Sequence, residues 1–369
     1  MKWEYELEFI TPVHVGTGRK LYPFEYVVDK NRLVAVDMDR LLGNEEFLRQ
    51  GITPEEISRG RFSLGERYPQ AKDFPRYALS ADAATCRLLR EKKGEVQELI
   101  SDAAGWYIPG SSLKGALRTL TYKGNDGEDL RQIWEEKIAA SLQDKKTRKE
   151  FLASQAEKET TGDPHRSLFR ALLISDSTAV GEKGVGLYAA WVMARRQSGW
   201  GWKILPHGYA RDEREATPLF FAAFRPGEKV AGTLIFQEAY LKNPVVELKK
   251  KEYFSDLWQK VRKAVAQVVA KELAFFRETG FAPGEEFYVG LKDLCAQLRE
   301  NEIIFPLGWG TGYDSKTYRE GITQELWLKV AERFDFKRTE GLPFPKTRKI
   351  VLREGKPWAP PGWVRMTLR

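Results

Sequence analysis

A glycine, two serines and two basic residues lie close together in sequence at one predicted helix start. Gly110 follows a proline, and Ser111 and Ser112 supply hydroxyls that typically cap a helix. Lys114 and Arg118 are four residues apart, so both cations share one side of the helix that follows. Such a corner is typical of phosphate binding, because the amide groups and the cations favour an anion. An ordinary capped helix with two solvated cations explains this stretch, taken alone, about equally well.

The spacing of two glycines also suggests a nucleotide-binding P-loop, because Gly110 and Gly115 bracket four residues. That loop needs lysine and then serine or threonine directly after its second glycine. Ala116 and Leu117 occupy those positions here. The pattern therefore excludes a nucleoside triphosphatase of this type.

A second glycine-bearing segment precedes this corner. Residues 3–10 alternate charged and apolar side chains, which predicts a half-buried strand. The segment after this strand carries a histidine, two glycines and two cations: His14, Gly16, Gly18, Arg19 and Lys20. We expect it to form a loop, because glycine readily leaves regular structure.

A third glycine-bearing segment lies near the other end of the sequence. An apolar strand around residue 303 leads into Gly308, Gly310 and Gly312. An Asp314/Ser315 cap then predicts a helix carrying Lys316 and Arg319. A dinucleotide-binding turn would need glycine at 313, which is Tyr313, so the dinucleotide fingerprint fails.

The first, second and third loops (residues 16–20, 110–118 and 308–319) share one chemistry. Glycine lets a backbone approach a phosphodiester closely, and neighbouring cations neutralise the phosphate. The chain has 60 Lys+Arg against 52 Asp+Glu, a formal net charge of +8, which favours a polyanionic partner. Three such loops on one surface would follow a nucleic-acid strand, and some of the 11 tryptophans could stack on its bases.

The acids and the loop histidine are the residues that could be catalytic. His14 could be a general acid or base, but no second histidine is near it in sequence, so a binding or structural role is favoured. Asp29, Asp37 and Asp39 could form a metal-dependent nuclease site, although turn and cap roles explain them more simply. We therefore predict no catalytic residue, no metal and no cofactor.

The composition indicates a cytoplasmic protein. The chain has 369 residues and two cysteines, Cys86 and Cys295, with no CxxC pair, which suits a reducing compartment. Neither a signal sequence nor an apolar run of the ~20 residues that span a membrane is present. We expect no contact with a membrane.

The hydrophobic period divides the chain into two parts. Apolar residues recur mainly with a strand period up to about residue 241, and then with a helical period in a helix that ends at Gly280. We predict an N-terminal domain of residues 1–241 and a C-terminal lobe of residues 242–369. The last 24 residues hold seven cations against Glu354 and predict a basic hairpin that turns near 360–362.

Four segments together carry a family resemblance: residues 11–18, 107–119, 174–177 and 307–317. They resemble the RAMP superfamily, and in length and in the third loop the chain is most similar to the family of fifth Csm subunits of type III-A CRISPR effector complexes. The resemblance implies an α+β fold with a ferredoxin-like (RNA-recognition-motif) core, a second degenerate lobe and helical insertions.

The resemblance also implies a function and partners. Such a subunit binds CRISPR RNA at the 3′ end of the complex, beside the backbone RAMP subunit and other Csm subunits. It supports CRISPR RNA maturation and antiviral defence by recruiting host nucleases rather than by cutting. Two alternatives stay open: a CRISPR RNA-processing endoribonuclease that uses His14, and another RAMP subunit of a type III-B complex.

Overall fold

The protein has an α+β fold, the class that the family resemblance implies. The structure, a computed structural model, describes residues 1–58, 62–125, 128–148, 152–161, 167–205, 208–242, 256–318, 321–335 and 345–369. His165, His207 and Arg319 lie outside these residues, and so does the middle of the segment where the hydrophobic period changes.

The described strands are, in chain order, β1 (Lys2–Phe9), β2 (Gly16–Leu21), β3 (Tyr26–Asp29), β4 (Arg32–Val36), β5 (Pro75–Ser80), β6 (Val96–Leu99), β7 (Ser101–Asp102), β8 (Gly105–Trp106), β9 (Leu172–Ile174), β10 (Val185–Arg196), β11 (Gly199–Lys203), β12 (Tyr209–Ala210), β13 (Leu219–Phe224), β14 (Lys229–Phe236), β15 (Glu302–Pro306), β16 (Thr347–Arg353), β17 (Lys356–Ala359) and β18 (Trp363–Leu368). The described helices are α1 (Met38–Leu42), α2 (Glu45–Leu48), α3 (Pro54–Ser58), α4 (Leu64–Arg67), α5 (Ala83–Lys92), α6 (Gly110–Gly124), α7 (Glu128–Gln143), α8 (Ser154–Thr161), α9 (Glu238–Lys242), α10 (Leu257–Thr279), α11 (Ala282–Ala296) and α12 (Gln324–Arg333).

One sheet has five antiparallel strands in the order β15-β18-β1-β14-β9. Its central strand, β1, is the half-buried strand that the alternation predicts: Tyr5, Leu7 and Phe9 are buried, and the glutamates between them are partly exposed. Because strands from both ends of the chain meet here, the C-terminal strands complete a sheet that the N-terminal strand begins.

The other large sheet is built around β10. Its main path is β2-β6-β13-β10-β5-β4-β3, and β10 also pairs with β11 and β16. Every second residue of β10 from Val185 to Met193, among them Leu187 and Ala189, belongs to the main core. The length of β10 lets it pair with different partners at its two ends, which joins β16 to the N-terminal strands.

Helices α6 and α10 pack against each other beside the five-stranded sheet. The apolar stripe that the sequence predicts in α6 is buried, with Leu113 and Leu117 fully inaccessible. The helices approach closely at Gly124, where a Cβ would lie 2.1 Å from the carbonyl oxygen of Lys260. The long helix α10 ends in a left-handed cap at Gly280, as predicted.

Two predictions about local structure are wrong. Residues 16–20 form the edge strand β2, whose pairing with β6 is interrupted by a bulge, rather than a loop. The C-terminal hairpin turns at Glu354 and Gly355, which both have positive φ, and not at 360–362. Residues 360–362 instead carry the chain to β18 in the other sheet.

The division at residue 241 stays a prediction. From the C-terminal segment, β16 pairs with β10 and β18 pairs with β1. In the described part of the chain, no helix combines the length and the apolar character needed to cross a bilayer.

Candidate nucleic-acid interface

The segments around the first and third loops meet through backbone hydrogen bonds. The amide of Trp309 donates to the carbonyl oxygen of His14 over 2.8 Å. Gly308 makes this approach possible, because its φ is +82° and a Cβ there would lie 2.3 Å from the same oxygen. The amide of Gly362 donates to the Pro12 carbonyl over 2.9 Å, so the segment before β18 joins the same junction.

His14 lies inside this junction and is only 2% exposed. Its Nδ1 is 2.6 Å from the carbonyl oxygen of Ala222, and since that oxygen only accepts, Nδ1 donates and Nε2 is unprotonated. A Cβ on Gly16 would lie 2.5 Å from Nε2, so backbone covers this nitrogen. Burial lowers the pKa of His14, the bond with Ala222 raises it in part, and the charge of Lys316 lowers it further. The ring is therefore a neutral link between strands, and RNA contact by His14 stays a prediction that its burial does not favour.

The cations of the first loop lie on the exposed edge strand. Residues 16–20, with Gly16 and Gly18 among them, are exposed. Lys20 forms an ion pair with Glu95 over 2.6 Å, and Arg19 lies 3.7 Å from Glu98. The Lys20–Glu95 pair is about half exposed on both sides, so water and salt weaken it and an anion can compete, whereas Glu98 is buried and also pairs with Arg76.

The second loop begins α6, but its serines do not cap the helix. The N-cap residue is Pro109, and the Gly110 amide donates to Oδ1 of Asp176 over 2.8 Å. The prediction that Ser111 and Ser112 provide the cap is wrong, because a carboxylate from the segment after β9 takes that role. The sequence contains this acid in residues 174–177, but only the tertiary fold brings it to the helix start.

One cation of the second loop and the start of its helix are already bonded to carboxylates. Arg118 donates to Oε1 of Glu157 over 2.6 Å. Burial lowers the pKa of Lys114, and the nearby charge of Arg170 lowers it further. Asp176 also places negative charge at the helix start. Phosphate binding at this corner stays a prediction, and an anion there would compete with two carboxylates.

The third loop leads into turns rather than directly into a helix. Gly308, Gly310 and Gly312 all have positive φ. The Ser315 hydroxyl then donates to the Thr311 carbonyl over 2.8 Å, which holds the backbone in a turn. The predicted helix carrying Lys316 is therefore wrong, and the next helix is α12.

A cleft of about 890 Å³ lies between the third loop, β16 and β12. Its lining includes five basic side chains and three aromatic rings, and no carboxylate of the described residues: Lys203, Lys316, Lys346, Arg348, Lys349, Tyr209, Trp309 and Tyr313. Cations that neutralise phosphates beside rings on which bases stack are the usual components of a single-strand binding groove.

Exposed Lys316 and half-buried Lys349 are neighbouring positive charges of this cleft. Burial lowers the pKa of both ammonium groups, and Lys316 lowers that of Lys349 further. The Lys349 Nζ lies 4.6 Å from the centroid of the Trp309 ring. Among the described residues, no carboxylate is within 4.0 Å of either ammonium group. The nearby acids Glu272 and Asp314 lie beside Arg348 instead. A bound anion would relieve the repulsion between the Lys316 and Lys349 ammonium groups.

Sequence reasoning found Lys316 but missed Lys349, Lys203 and Trp309 as parts of one cleft. The alternation in β16 carried a signal, because Arg348 and Ile350 are buried and Lys349 between them faces the other way. Lys203 had no such signal, since its place depends on the pairing of β11 with β10.

Lys316 and Tyr313 also line a smaller cavity of about 280 Å³, which Arg118 of α6 lines as well. The structure therefore brings the third loop next to the junction at His14 and next to the second loop.

Two of the three acids considered for catalysis, Asp29 and Asp37, have structural partners, and Asp39 lies in the first turn of α1. Oδ1 of Asp37 accepts from the Arg40 amide over 3.1 Å, which confirms its capping role. Asp29 pairs with Arg32 and Lys72. Within the described ranges, no group of three or more histidine, cysteine or acidic residues could hold a metal ion.

The chain belongs to the RAMP superfamily, whose family model matches residues 6–328. It is similar to the CRISPR system protein Csm5 of Methanocaldococcus jannaschii, with 22% identity over 99% of this chain and 88% of the relative. A Csm5 protein of Streptococcus thermophilus is 29% identical over 31% of this chain and 37% of its own length.

Solved structures share the fold. The chain aligns with the crystal structure of T. onnurineus Csm5 at a TM-score of 0.61 and 20% identity, covering 97% of this chain and 99% of the other. A chain of a Csm–crRNA–target RNA ternary complex of a type III-A CRISPR-Cas system aligns at a TM-score of 0.67 and 20% identity, over the full length of both. The resemblance to the fifth Csm subunit is thus confirmed.

Proposed function

We propose that the chain is a CRISPR RNA-binding subunit of a type III-A interference complex and that it holds the RNA backbone in the basic cleft. The observation that carries this proposal is the pair Lys316 and Lys349, two partly desolvated cations that line one cleft and have no carboxylate partner among the described residues, with Lys349 over the Trp309 ring. The relatives named Csm5, and the complex with CRISPR RNA that contains a similar chain, support it.

Within that complex, the proposed position is the end that holds the 3′ portion of the CRISPR RNA. One face would contact the backbone RAMP subunit and other Csm subunits, and the subunit would support RNA maturation through host nucleases. We infer a non-catalytic role because His14 is covered, and Asp29 and Asp37 are already bonded within the protein.

The endoribonuclease alternative makes a distinct prediction. Purified protein would cleave CRISPR repeat RNA, with or without divalent metal, and the His14→Ala variant would lose this activity. We expect no such cleavage, because Nε2 of His14 faces Gly16 rather than solvent. Copurification with type III-B subunits would instead support the third possibility.

The proposed RNA contact is tested by the salt dependence of binding. Lys316→Ala combined with Lys349→Ala should weaken single-stranded RNA binding and reduce the salt slope by about 1.4, since each phosphate contact contributes ~0.7. The control combines Lys183→Ala with Lys356→Ala, which removes the same charge at two exposed positions outside the cleft lining. An unchanged affinity and slope in the cleft variant would contradict the proposal.

A further inference from the structure

We propose that the smaller cavity holds one RNA base, turned out of the strand that lies in the basic cleft. This inference rests on the proposed RNA binding and assigns a base-specific subsite to it. The cavity lies beside the cleft, because Tyr313 and Lys316 line both. A backbone that passes Lys316 therefore has a pocket directly next to it.

The walls of the cavity are aromatic. Six rings from four parts of the chain line it: Tyr122, Trp134, Tyr313, Tyr318, Trp327 and Phe334. Several of them already contact one another, with Trp134 perpendicular to Tyr318 at 5.0 Å and Tyr313 tilted against Trp327 at 5.6 Å. Aromatic walls suit a base, because unpaired RNA bases stack on such rings.

The rim of the cavity carries the charge that a nucleotide needs. Lys316 and Arg118 both line it, and the Glu157 carboxylate that pairs with Arg118 lies beside them. The Arg118–Glu157 pair is partly exposed, so a phosphate can exchange for this carboxylate at low cost. The rim thus favours an anionic group attached to a flat ring.

The charge at the rim and the size of the cavity favour one nucleotide. A nucleotide brings a phosphate to Lys316 and Arg118, whereas an apolar side chain of a partner protein brings no charge. At about 280 Å³ the cavity suits one ring system rather than two stacked nucleotides.

The test fills the cavity without removing any ring. Ala153 is half-buried and lines the pocket, so Ala153→Phe would occupy the space of a base. Ile322→Phe fills it from the other side and guards against misfolding of the first variant. The control is Ala270→Phe, at an exposed alanine in the separate groove between α10 and α11.

The probe is a single-stranded RNA of about a dozen nucleotides in which 4-thiouridine replaces uridine. After irradiation of the full chain with this RNA, cross-linked peptides are identified by mass spectrometry. We expect cross-links at Trp134, Tyr318 or Trp327 in the unmodified protein and in the control. Both filled variants should lose these cross-links and keep those at Trp309.

Affinity provides the second readout. Filling the cavity should weaken RNA binding by about 5- to 150-fold, the range that stacking of one base contributes, while the salt slope stays unchanged. Salt-dependent binding with cross-links only in the cleft would overturn the inference and leave the proposed function standing. Filled variants that bind RNA normally but lose a RAMP partner would also overturn it, because the occupant would then be a protein side chain. No salt-dependent binding by the unmodified protein would contradict the proposed function itself.

Discussion

Arg348 shows how a basic residue in a charged cleft can be structural. Its Nε donates to Oε2 of Glu272 over 2.5 Å, its guanidinium lies 4.1 Å from the centroid of the Phe275 ring, and it is 8% exposed. This ion pair joins β16 to α10 out of contact with water. Glu272 therefore neutralises the charge of Arg348, which is not available to a ligand.

This assignment predicts the outcome of a double-mutant cycle. Arg348→Met should lower the free energy of unfolding by ~3–5 kcal/mol, because it leaves Glu272 buried and unpaired. The double variant Arg348→Met/Glu272→Met should recover most of the loss, as measured by urea unfolding. If the two effects simply added, the ion pair would not be the coupled unit that the structure shows.

His14 predicts a pH dependence of stability. Its pKa in the folded protein is lowered below the ordinary value, so the unfolded chain binds the proton more readily. The stability that His14 contributes is therefore complete above pH ~6.5 and falls as the pH drops through that value, with a slope of up to ~1.4 kcal/mol per pH unit. Urea unfolding between about pH 7.5 and about pH 5.5 checks this.

The matched variant for His14 is His14→Gln, which keeps a donor and cannot titrate. The free energy of unfolding of this variant, relative to that of the unmodified protein, should increase as the pH falls. A difference that does not change with pH would show that His14 is not buried as a neutral ring.

Among the elements, the start of α6 depends on one glycine more than on its hydroxyls. A Cβ on Gly110 would lie 2.2 Å from the Ile174 carbonyl oxygen, whereas a Cβ on Gly115 would have nothing within 4 Å. Gly110→Ala should therefore destabilise the protein by about 1–3 kcal/mol or more, and Gly115→Ala should stabilise it by ~0.5–1 kcal/mol. Thermal unfolding of the two variants gives the comparison, and equal effects would contradict this close approach.

The elements also show what the sequence could predict. Strand β1 and helices α6 and α10 were found because their apolar period is set by burial against the chain's own core. The turn after the third loop was missed because Ser315 bonds backward to Thr311 rather than capping forward. The cap from Asp176 and the cleft lysines on β11 and β16 depend on contacts between distant segments, which local patterns do not encode.

For the whole molecule, the proposed end position predicts a single copy per complex. A repeating filament subunit needs two complementary faces arranged head to tail. Here α7 packs against α8 and α12, and α10 packs against α6 and α11, so helices that a minimal RNA-binding core would not need cover part of the surface. Native mass spectrometry of the reconstituted complex should find one copy. Two or more copies, or rods formed by the isolated protein on RNA, would identify a backbone subunit instead.

The pairing of β1 with β18 has a consequence for how the protein is made. The side chains of Glu6 and Arg369 meet although 363 residues separate them in the chain. During synthesis, β1 cannot pair along its β18 edge until β18 has been made, so the five-stranded sheet is incomplete until then. Its apolar face is exposed until then, and such high contact order slows folding. We therefore expect this sheet to close only after β18 has been synthesised.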